Sequence, residues 1–446
     1  MNSNGSTILI LTALAASLQA ADFAASADAH IAAYVQQGRF MGSVLVAKDG
    51  KVLLTKGYGM ANLEHEVPNK PNTKFRLGSI TKQFTAVAIL QLQEQGKLNV
   101  QDPIGKYIPN SPEAWKKVTI HHLLTHTGGV PSYTSTPEYV KHMREASKPL
   151  DFIERFKNKP LDFEPGTKHV YSNSGYFLLG VIIEQLSGKS YEAYLRENIF
   201  DKADMQDSGY DWDTKILKNR AAGYQHEKNQ LKNAEYLDMG QPYAAGSLYS
   251  TVEDLYRWDR VLNTEKVLTR KSLESAWTPA LNNYGYGWTM GKVAGEHKTI
   301  GHGGGINGFS TMMLRLPDDD AFIAVFANME TQDSGRIANE LARMLLGQNV
   351  ETPKARKAVT VAPDTLAKYA GKYQVGPMTF DITASATALT VAVAGQRTLE
   401  SYPESETKCF VPQNDGQLSF SDVVDGKAQK IVMHQNGREV PGKRIP

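Results

Sequence analysis

The hydrophobic positions of this chain change their spacing several times, and each change marks an element. Residues 29–35 carry helical spacing. Gly42-Ser43-Val44-Leu45-Val46-Ala47 and Lys51-Val52-Leu53-Leu54-Thr55 flank Lys48-Asp49-Gly50, which predicts a hairpin with a tight Asp-Gly turn. Phe84, Val87, Ala88 and Leu92 fall on one helical face, and Gly96 supplies the stop. From about residue 100 to 240 helical pieces are broken by Pro and Gly. The clearest of them, Ser174 to Ser187, is apolar nearly all round and stopped by Gly188, which predicts a buried helix. Ser250-Thr251-Val252-Glu253 has the form of a capping box, opening a helix through Leu262. Extended runs follow at 299–301, 309–316 and 321–327, the last two joined by Pro317-Asp318-Asp319-Asp320. Ile337 to Leu346 is amphipathic and ends at Gly347.

Strands, a long helical insert, strands and a final helix predict an α+β fold: an antiparallel sheet flanked by helices, with an inserted helical subdomain. Residues 351–363 are largely polar without a sustained apolar period and are expected to link to a separate unit. In that unit, 364–446, short runs such as Leu389-Thr390-Val391-Ala392-Val393 alternate with Gly, Asn and Asp turns, which predicts a small all-β, barrel-like domain. The first 20 residues stand apart. Ile8 to Leu18 is nearly continuous in apolar character, and Leu18-Gln19-Ala20 before Ala21 has the form of a signal-peptide cleavage site, although no Lys or Arg precedes it. The expectation is a periplasmic or secreted protein whose main domain spans 21–350, with no cysteine at the cleavage site to carry a lipid.

Composition narrows the function classes. Over 446 residues the apolar share is 41% and the charged share 22%, as in a soluble globular protein. A net charge of +2 gives no argument for nucleic acid or an anionic membrane. The lone cysteine, Cys409, excludes a disulfide framework. No segment after the leader is apolar enough to span a bilayer. Oligomeric state has no signature in the chain.

Chemistry enters at Gly78-Ser79-Ile80-Thr81-Lys82, which leads into the helix that ends at Gly96. Ser79 is expected at the helix entrance, where serine is a favoured cap and backbone N–H groups point outward. Lys82, three residues on, shares its face. A serine hydroxyl needs a neighbouring base to act as a nucleophile, and a desolvated lysine amine can be that base. A second Ser-x-x-Lys, Ser405 to Lys408, precedes a strand with no helix to carry it and is read as coincidence. Tyr171-Ser172-Asn173 lies just before the buried helix, and His302-Gly303-Gly304-Gly305 follows an extended run.

In this order and spacing, the three stretches resemble the landmarks of the serine β-lactamase and penicillin-binding-protein superfamily: Ser-x-x-Lys, Tyr-x-Asn and Lys/His-x-Gly. The branch around class C β-lactamases, D-aminopeptidases and carboxylesterases is the nearer likeness. Leu123-Leu124-Thr125-His126-Thr127-Gly128-Gly129, Phe163-Glu164-Pro165-Gly166 and Ala245-Gly246-Ser247-Leu248-Tyr249-Ser250 are similar to further phrases of the family, and the likeness covers residues 30 to 347. It implies a serine hydrolase of small ester, amide or peptide substrates that needs no cofactor or metal. Ser79 resembles the acylated nucleophile. Lys82 and Tyr171 share the proton transfers, either of them taking the serine proton. Asn173 binds the substrate amide or Lys82. Ser79 and Gly305 supply oxyanion-hole amides, with Gly304 and His302 lining the substrate strand. A penicillin-recognising D-Ala-D-Ala carboxypeptidase, or a sensor that acylates without turnover, is the alternative.

His302 stands where β-lactamases and carboxypeptidases of the family usually carry lysine, and nothing marks Glu164 as a deacylating base, so a specialised β-lactamase is disfavoured. Other chemistries fit less well. No Gly-x-Ser-x-Gly elbow occurs. His121, His122 and His126 lack the glutamate of a zincin motif. Gly188-Lys189-Ser190 lacks the first glycine of a P-loop and is read as a helix stop followed by a fresh cap.

Overall fold

The structure, a computed structural model, describes residues 21–227, 230–354, 356–393, 398–412, 416–435 and 438–446; the expected leader over 1–20 lies outside them. The described chain forms two compact units. One runs to Val35 and continues through Phe40–Glu330 and Ser334–Glu351; the other comprises Gln36–Arg39, Thr331–Asp333 and Thr352–Pro446.

Among the described residues of the first unit, six strands make one sheet: β1 (Gly42–Lys48), β2 (Lys51–Tyr58), β3 (Thr289–Val293), β4 (His297–Ile306), β5 (Phe309–Leu316) and β6 (Ala321–Ala327). Their order is β3-β4-β5-β6-β1-β2, with every pair antiparallel. The hairpin turn between β1 and β2 has positive φ at both Asp49 and Gly50, the backbone that lets a two-residue loop follow the strand twist. β6 is buried at every position and β1 at all but its last. Both are central strands with a covered face on each side, so their sequences are continuous apolar runs rather than alternations. Val44, Val46, Ile323 and Val325 enter one core, whereas Leu45, Ala47, Phe322, Ala324 and Phe326 enter the other. The period-two geometry of a strand sorts neighbours onto opposite faces.

Five helices matter to the site and its support: α1 (residues 21–36), α2 (Thr81–Glu94), α3 (Asn173–Ser187), α4 (Val252–Leu262) and α5 (Asp333–Leu345). α2 and α3 pack on each other inside the larger core. α2 is buried on every side from Thr81 to Leu92, not on one apolar face as its spacing suggests. Its glutamines and threonines reach partners inside: the Thr85 hydroxyl donates to the Ala244 carbonyl at 2.7 Å, and Gln91 donates to the carbonyls of Asn198 and Val267, each at 3.0 Å. Gly96 and Gly188 follow α2 and α3 in the left-handed conformation, as expected of helix stops. Ser190 then caps the next short helix, Tyr191–Leu195, through the Ala193 amide. At α4 the cap falls one residue later than the capping-box reading: Thr251, not Ser250, accepts from the Asp254 amide at 3.0 Å.

In the second unit, eight described strands from Gly371–Val375 to Arg438–Ile445 close into an antiparallel barrel, the first pairing with the last. Tyr373, Phe380, Leu389, Leu418, Phe420 and Ile431 fill its core, and Tyr369 stacks on Phe420 with ring centroids 4.2 Å apart. Cys409 is buried among them, and that burial pushes its thiol up to about 12. Ser405 and Lys408 meet only through a turn, the Ser405 amide donating to the Lys408 carbonyl. No helix of the described residues is long and apolar enough to cross a membrane.

Candidate active site

Ser79 lies in a one-turn 3₁₀ segment, Gly78–Ile80, that runs directly into α2. It does not cap the helix with its side chain, and neither Leu77 nor Ile80 does so. The positive end of α2 is therefore left to the backbone, which favours negative charge placed near it. The turn is tight because residue 78 is glycine. Its φ is +54°, and a Cβ there would lie 2.9 Å from the Gly305 nitrogen. The Ser79 turn and the β4 backbone thus press directly on each other.

Lys82 follows one helical turn later with no solvent exposure. Its Nζ lies 3.0 Å from Ser79 Oγ, 2.9 Å from Asn173 Oδ1 and 2.8 Å from the Ala245 carbonyl. Two of these partners, the amide oxygen and the carbonyl, can only accept. A neutral amine satisfies both with its two hydrogens and keeps its lone pair for the Ser79 hydroxyl; an ammonium satisfies all three as donor. The same cage serves both protonation states. Burial holds the Lys82 pKa well below its ordinary value, since none of the three partners is charged.

Tyr171 approaches from the loop before α3, with Lys82 Nζ 4.8 Å from its ring centroid. Tyr171 is partly exposed at the surface, yet the protein packed around it pushes its pKa above the usual tyrosine range; a hydrogen bond with Ser79 pulls it back only in part. The shifts of the two groups point in opposite directions: Lys82 is driven toward its basic form and Tyr171 away from it. Asn173 is the first residue of α3, and its side chain does not cap the helix; Ser172 occupies the N-cap position. Its Nδ2 donates to Thr134 Oγ1 at 3.0 Å, which turns Oδ1 toward Lys82. Of the two partners expected for Asn173, the structure shows Lys82.

His302 is buried in β4 opposite Met313. Its Nδ1 lies 2.6 Å from the Gly303 carbonyl, an acceptor, so Nδ1 carries the hydrogen and Nε2 accepts from the Tyr284 hydroxyl at 2.9 Å. Burial, and then the charge of Lys82, lower its pKa to about 4. At neutral pH it is an uncharged ring with both nitrogens engaged by the protein. His126, at φ +57°, is similarly buried: it accepts from the Ser172 amide at 3.1 Å and lies against Tyr171 with centroids 4.2 Å apart. Burial first, then nearby positive charge, lowers its pKa as well.

This arrangement has a cost in acid. Unfolding frees His302 to bind a proton at its ordinary pKa of 6.5 that the folded state refuses down to about 4. Stability contributed by the neutral ring is complete above 6.5 and lost as pH falls through that window, by about 3 kcal/mol for a shift of this size. Thermal unfolding followed between pH 7 and 4 should show a falling Tm, and His302→Gln should flatten the slope.

Gly304 is fixed by contact. A Cβ there would lie 1.9 Å from the Leu77 carbonyl oxygen and 2.4 Å from Thr311 Oγ1, the hydroxyl that itself donates to Leu77 at 2.8 Å. A Cβ at Gly305 would meet nothing within 4 Å. Gly304→Ala must therefore push β4 off the Ser79 turn and should lower kcat/KM by about a hundredfold, the size of effect that follows when backbone beside a nucleophile is displaced. Gly305→Ala keeps the amide and adds a Cβ that meets no protein atom, so it should stay within about threefold of the parent, under about 1 kcal/mol of barrier. Steady-state kinetics on the two variants distinguishes the positions.

The other expected features fall elsewhere. Glu164 is exposed and paired with Lys117 at 3.1 Å. His121 bonds the Tyr286 hydroxyl at 2.8 Å, and His122 closes a capping box with Thr119. Among the described residues no group of three or more His, Cys, Asp or Glu is placed to hold a metal. Four participants carry no role legible in the sequence: Ala245, Thr134, Tyr284 and His126. Ala245 and His126 stand inside phrases that resembled the family, which is the one signal that marks them.

Residues 27–348 match the Beta-lactamase family. The chain is 31% identical over 435 residues to Penicillin-binding protein 4* of Bacillus subtilis (strain 168), covering 91% of this chain and 95% of that protein. It is 30% identical over 252 residues to the teichoic acid D-alanine hydrolase of Staphylococcus aureus (strain MRSA252), covering 56% and 60% respectively. Among solved structures, the octameric penicillin-binding protein homologue from Pyrococcus abyssi superposes with a TM-score of 0.67 at 27% identity, over 94% of this chain and 99% of that one. With the Ser79–Lys82 pair, Tyr171, Asn173 and the glycine strand gathered in one place, and a family match over most of its length, the chain belongs to the beta-lactamase family of serine hydrolases.

Proposed function

We propose that the protein cleaves small ester or amide bonds through an acyl-enzyme on Ser79, with Lys82 as the base. Ser79 Oγ attacks the substrate carbonyl and its proton passes to Lys82 Nζ. The developing oxyanion is held by the amides of Ser79 and Gly305 at the positive end of α2. The leaving alcohol or amine receives the proton from Lys82, with the Tyr171 hydroxyl as relay, and water then releases the acid. The observation that carries this reading is the buried Lys82 amine held by three uncharged partners. Tyr171, pushed above the tyrosine range, is better suited to donate a hydrogen bond than to take the serine proton. The pH dependence has a definite sign: kcat/KM should rise with pH as Lys82 loses its proton, with a midpoint below the ordinary 10.5 of lysine.

Substrate class follows from His302. A lysine at this place would present a full positive charge to a substrate carboxylate; His302 is neutral, buried and already bonded to Tyr284 and Gly303. It therefore acts by what it withholds and by fixing Tyr284. Small neutral esters, or peptides without a free C-terminal carboxylate, are the preferred substrates; D-alanyl esters, to which the name of the staphylococcal relative points, share the missing carboxylate although their amine is charged near neutral pH. The penicillin-binding names among the relatives favour a second reading, recognition of penicillins or D-Ala-D-Ala termini. Kinetics on short-chain p-nitrophenyl esters and a penicillin separates the two. A higher kcat/KM for the esters, moved toward the penicillin by His302→Lys, supports the ester reading; a wild-type preference for the penicillin overturns it. The apolar run from Ile8 to Leu18 supports export to the periplasm or medium as the setting.

A further inference from the structure

The segment Tyr243–Ala245, whose last carbonyl holds Lys82, borders with its first residue a cavity of about 130 Å³. Four aromatic rings line it, Tyr191, Tyr210, Trp212 and Tyr243, together with the carboxylates Glu184 and Glu192, and no Lys or Arg lines it. Trp212 and Tyr210 are stacked at 4.3 Å, and Tyr191 and Tyr243 lie 5.2 Å apart, so three buried tyrosines pack together and the exposed Trp212 ring presents the open aromatic surface. The acids differ in how far they are committed. Glu192 accepts from the Trp212 indole at 2.7 Å and faces Lys215 at 3.6 Å. Glu184 accepts only from the Tyr191 backbone amide at 2.8 Å among its hydrogen bonds of good geometry. The Tyr243 hydroxyl is buried, faces the Glu184 carboxylate and closes no hydrogen bond of good geometry.

We propose that this cavity is a binding site for a small organic cation, an alkylammonium or quaternary ammonium headgroup, separate from the Ser79 site. Aromatic faces attract a cation through their quadrupole, and an indole does so most strongly. Glu184 supplies the counter-charge, and Glu192, already neutralised in part, fixes the indole in place. An anion would meet two carboxylates here with no cation among the lining groups, and a neutral apolar guest would bring no positive charge to Glu184, which has only the Tyr191 amide and the facing Tyr243 hydroxyl. The cavity has the size of a single headgroup, not of a drug-sized ligand. Its wall is continuous with the machinery of the other site: Tyr191 bonds Thr85 on α2 at 2.7 Å, and Tyr243 opens the turn whose third residue, Ala245, holds Lys82.

The test uses the full chain, choline as probe and its uncharged carbon isostere, 3,3-dimethylbutan-1-ol. Ligand-observed NMR or calorimetry should give saturable choline binding below about 50 mM, with the isostere at least about tenfold weaker, as loss of a desolvated cation–π contact requires. Trp212→Ala, at a partly exposed position, and Glu184→Gln, which keeps the side-chain shape, should each weaken choline at least about fivefold while circular dichroism stays unchanged. Absence of saturable choline binding, equal binding of the isostere, or parental affinity in both variants overturns the proposal. The readout is binding alone, so it does not depend on which bonds the enzyme cleaves.

Discussion

Lys82→Met should lower the rate of acylation by about a thousandfold, within the range expected for loss of a positioned general base. Methionine fills the same space without a lone pair to take the Ser79 proton. It also leaves Asn173 Oδ1 and the Ala245 carbonyl without their donor, at roughly 1–3 kcal/mol for each buried group left unpaired. Part of the loss will therefore be in stability, and the two effects separate by their signatures. A base is missing if the rising limb of the pH–rate profile disappears; a purely structural defect lowers Tm and leaves the limb in place. Single-turnover acylation measured across pH, beside thermal unfolding, reads both. Retention of the limb in Lys82→Met, with its shape moved to depend on Tyr171, would reassign the base.

The second large effect is at Ser79 itself. Ser79→Ala should reduce kcat by about five orders of magnitude or more, as removal of a nucleophile does. It should leave Tm nearly unchanged, because the Ser79 side chain does not cap α2 and a neutral Lys82 keeps both its hydrogens bonded, to Asn173 and to the Ala245 carbonyl. Had Ser79 been the helix cap that its position suggested, the alanine variant would lose about 1 kcal/mol of stability. Calorimetry on the variant thus also decides between a capping hydroxyl and one held for chemistry.

Much of this arrangement was legible in the chain, and the reasons for the rest are physical. β5 and β6 coincide with their apolar runs because both are long and largely buried. β3, Thr289–Val293, has no signature in the sequence because it is an edge strand with a glycine and only Val293 buried, so no alternation marks it. Strands of two or three residues, such as Phe75–Arg76, Gly209–Tyr210 and Leu248–Ser250, are too short for any period to emerge. α2 was legible as a helix but not as a helix buried all round, since its polar residues find partners only in the tertiary structure. The same limit applies at the site. Ser79, Lys82, Tyr171 and Asn173 announce themselves by residue type and spacing, whereas the Ala245 carbonyl is a backbone group that any residue could supply. The proposal of Lys82 rather than Tyr171 as base rests on desolvation, which residue type and spacing do not display. His302 carried its chemical identity in the sequence but not its engagement with Tyr284, a residue eighteen positions earlier on a different segment.

The most direct test of the central claim is to trap the acyl-enzyme and locate it. The wild-type protein treated with a fluorophosphonate, and separately with a slow ester, should gain the mass of one adduct, and peptide mapping should place it on Ser79. Ser79→Ala should gain none. An adduct on any other serine, Ser405 included, or hydrolysis undiminished in Ser79→Ala, would contradict the account.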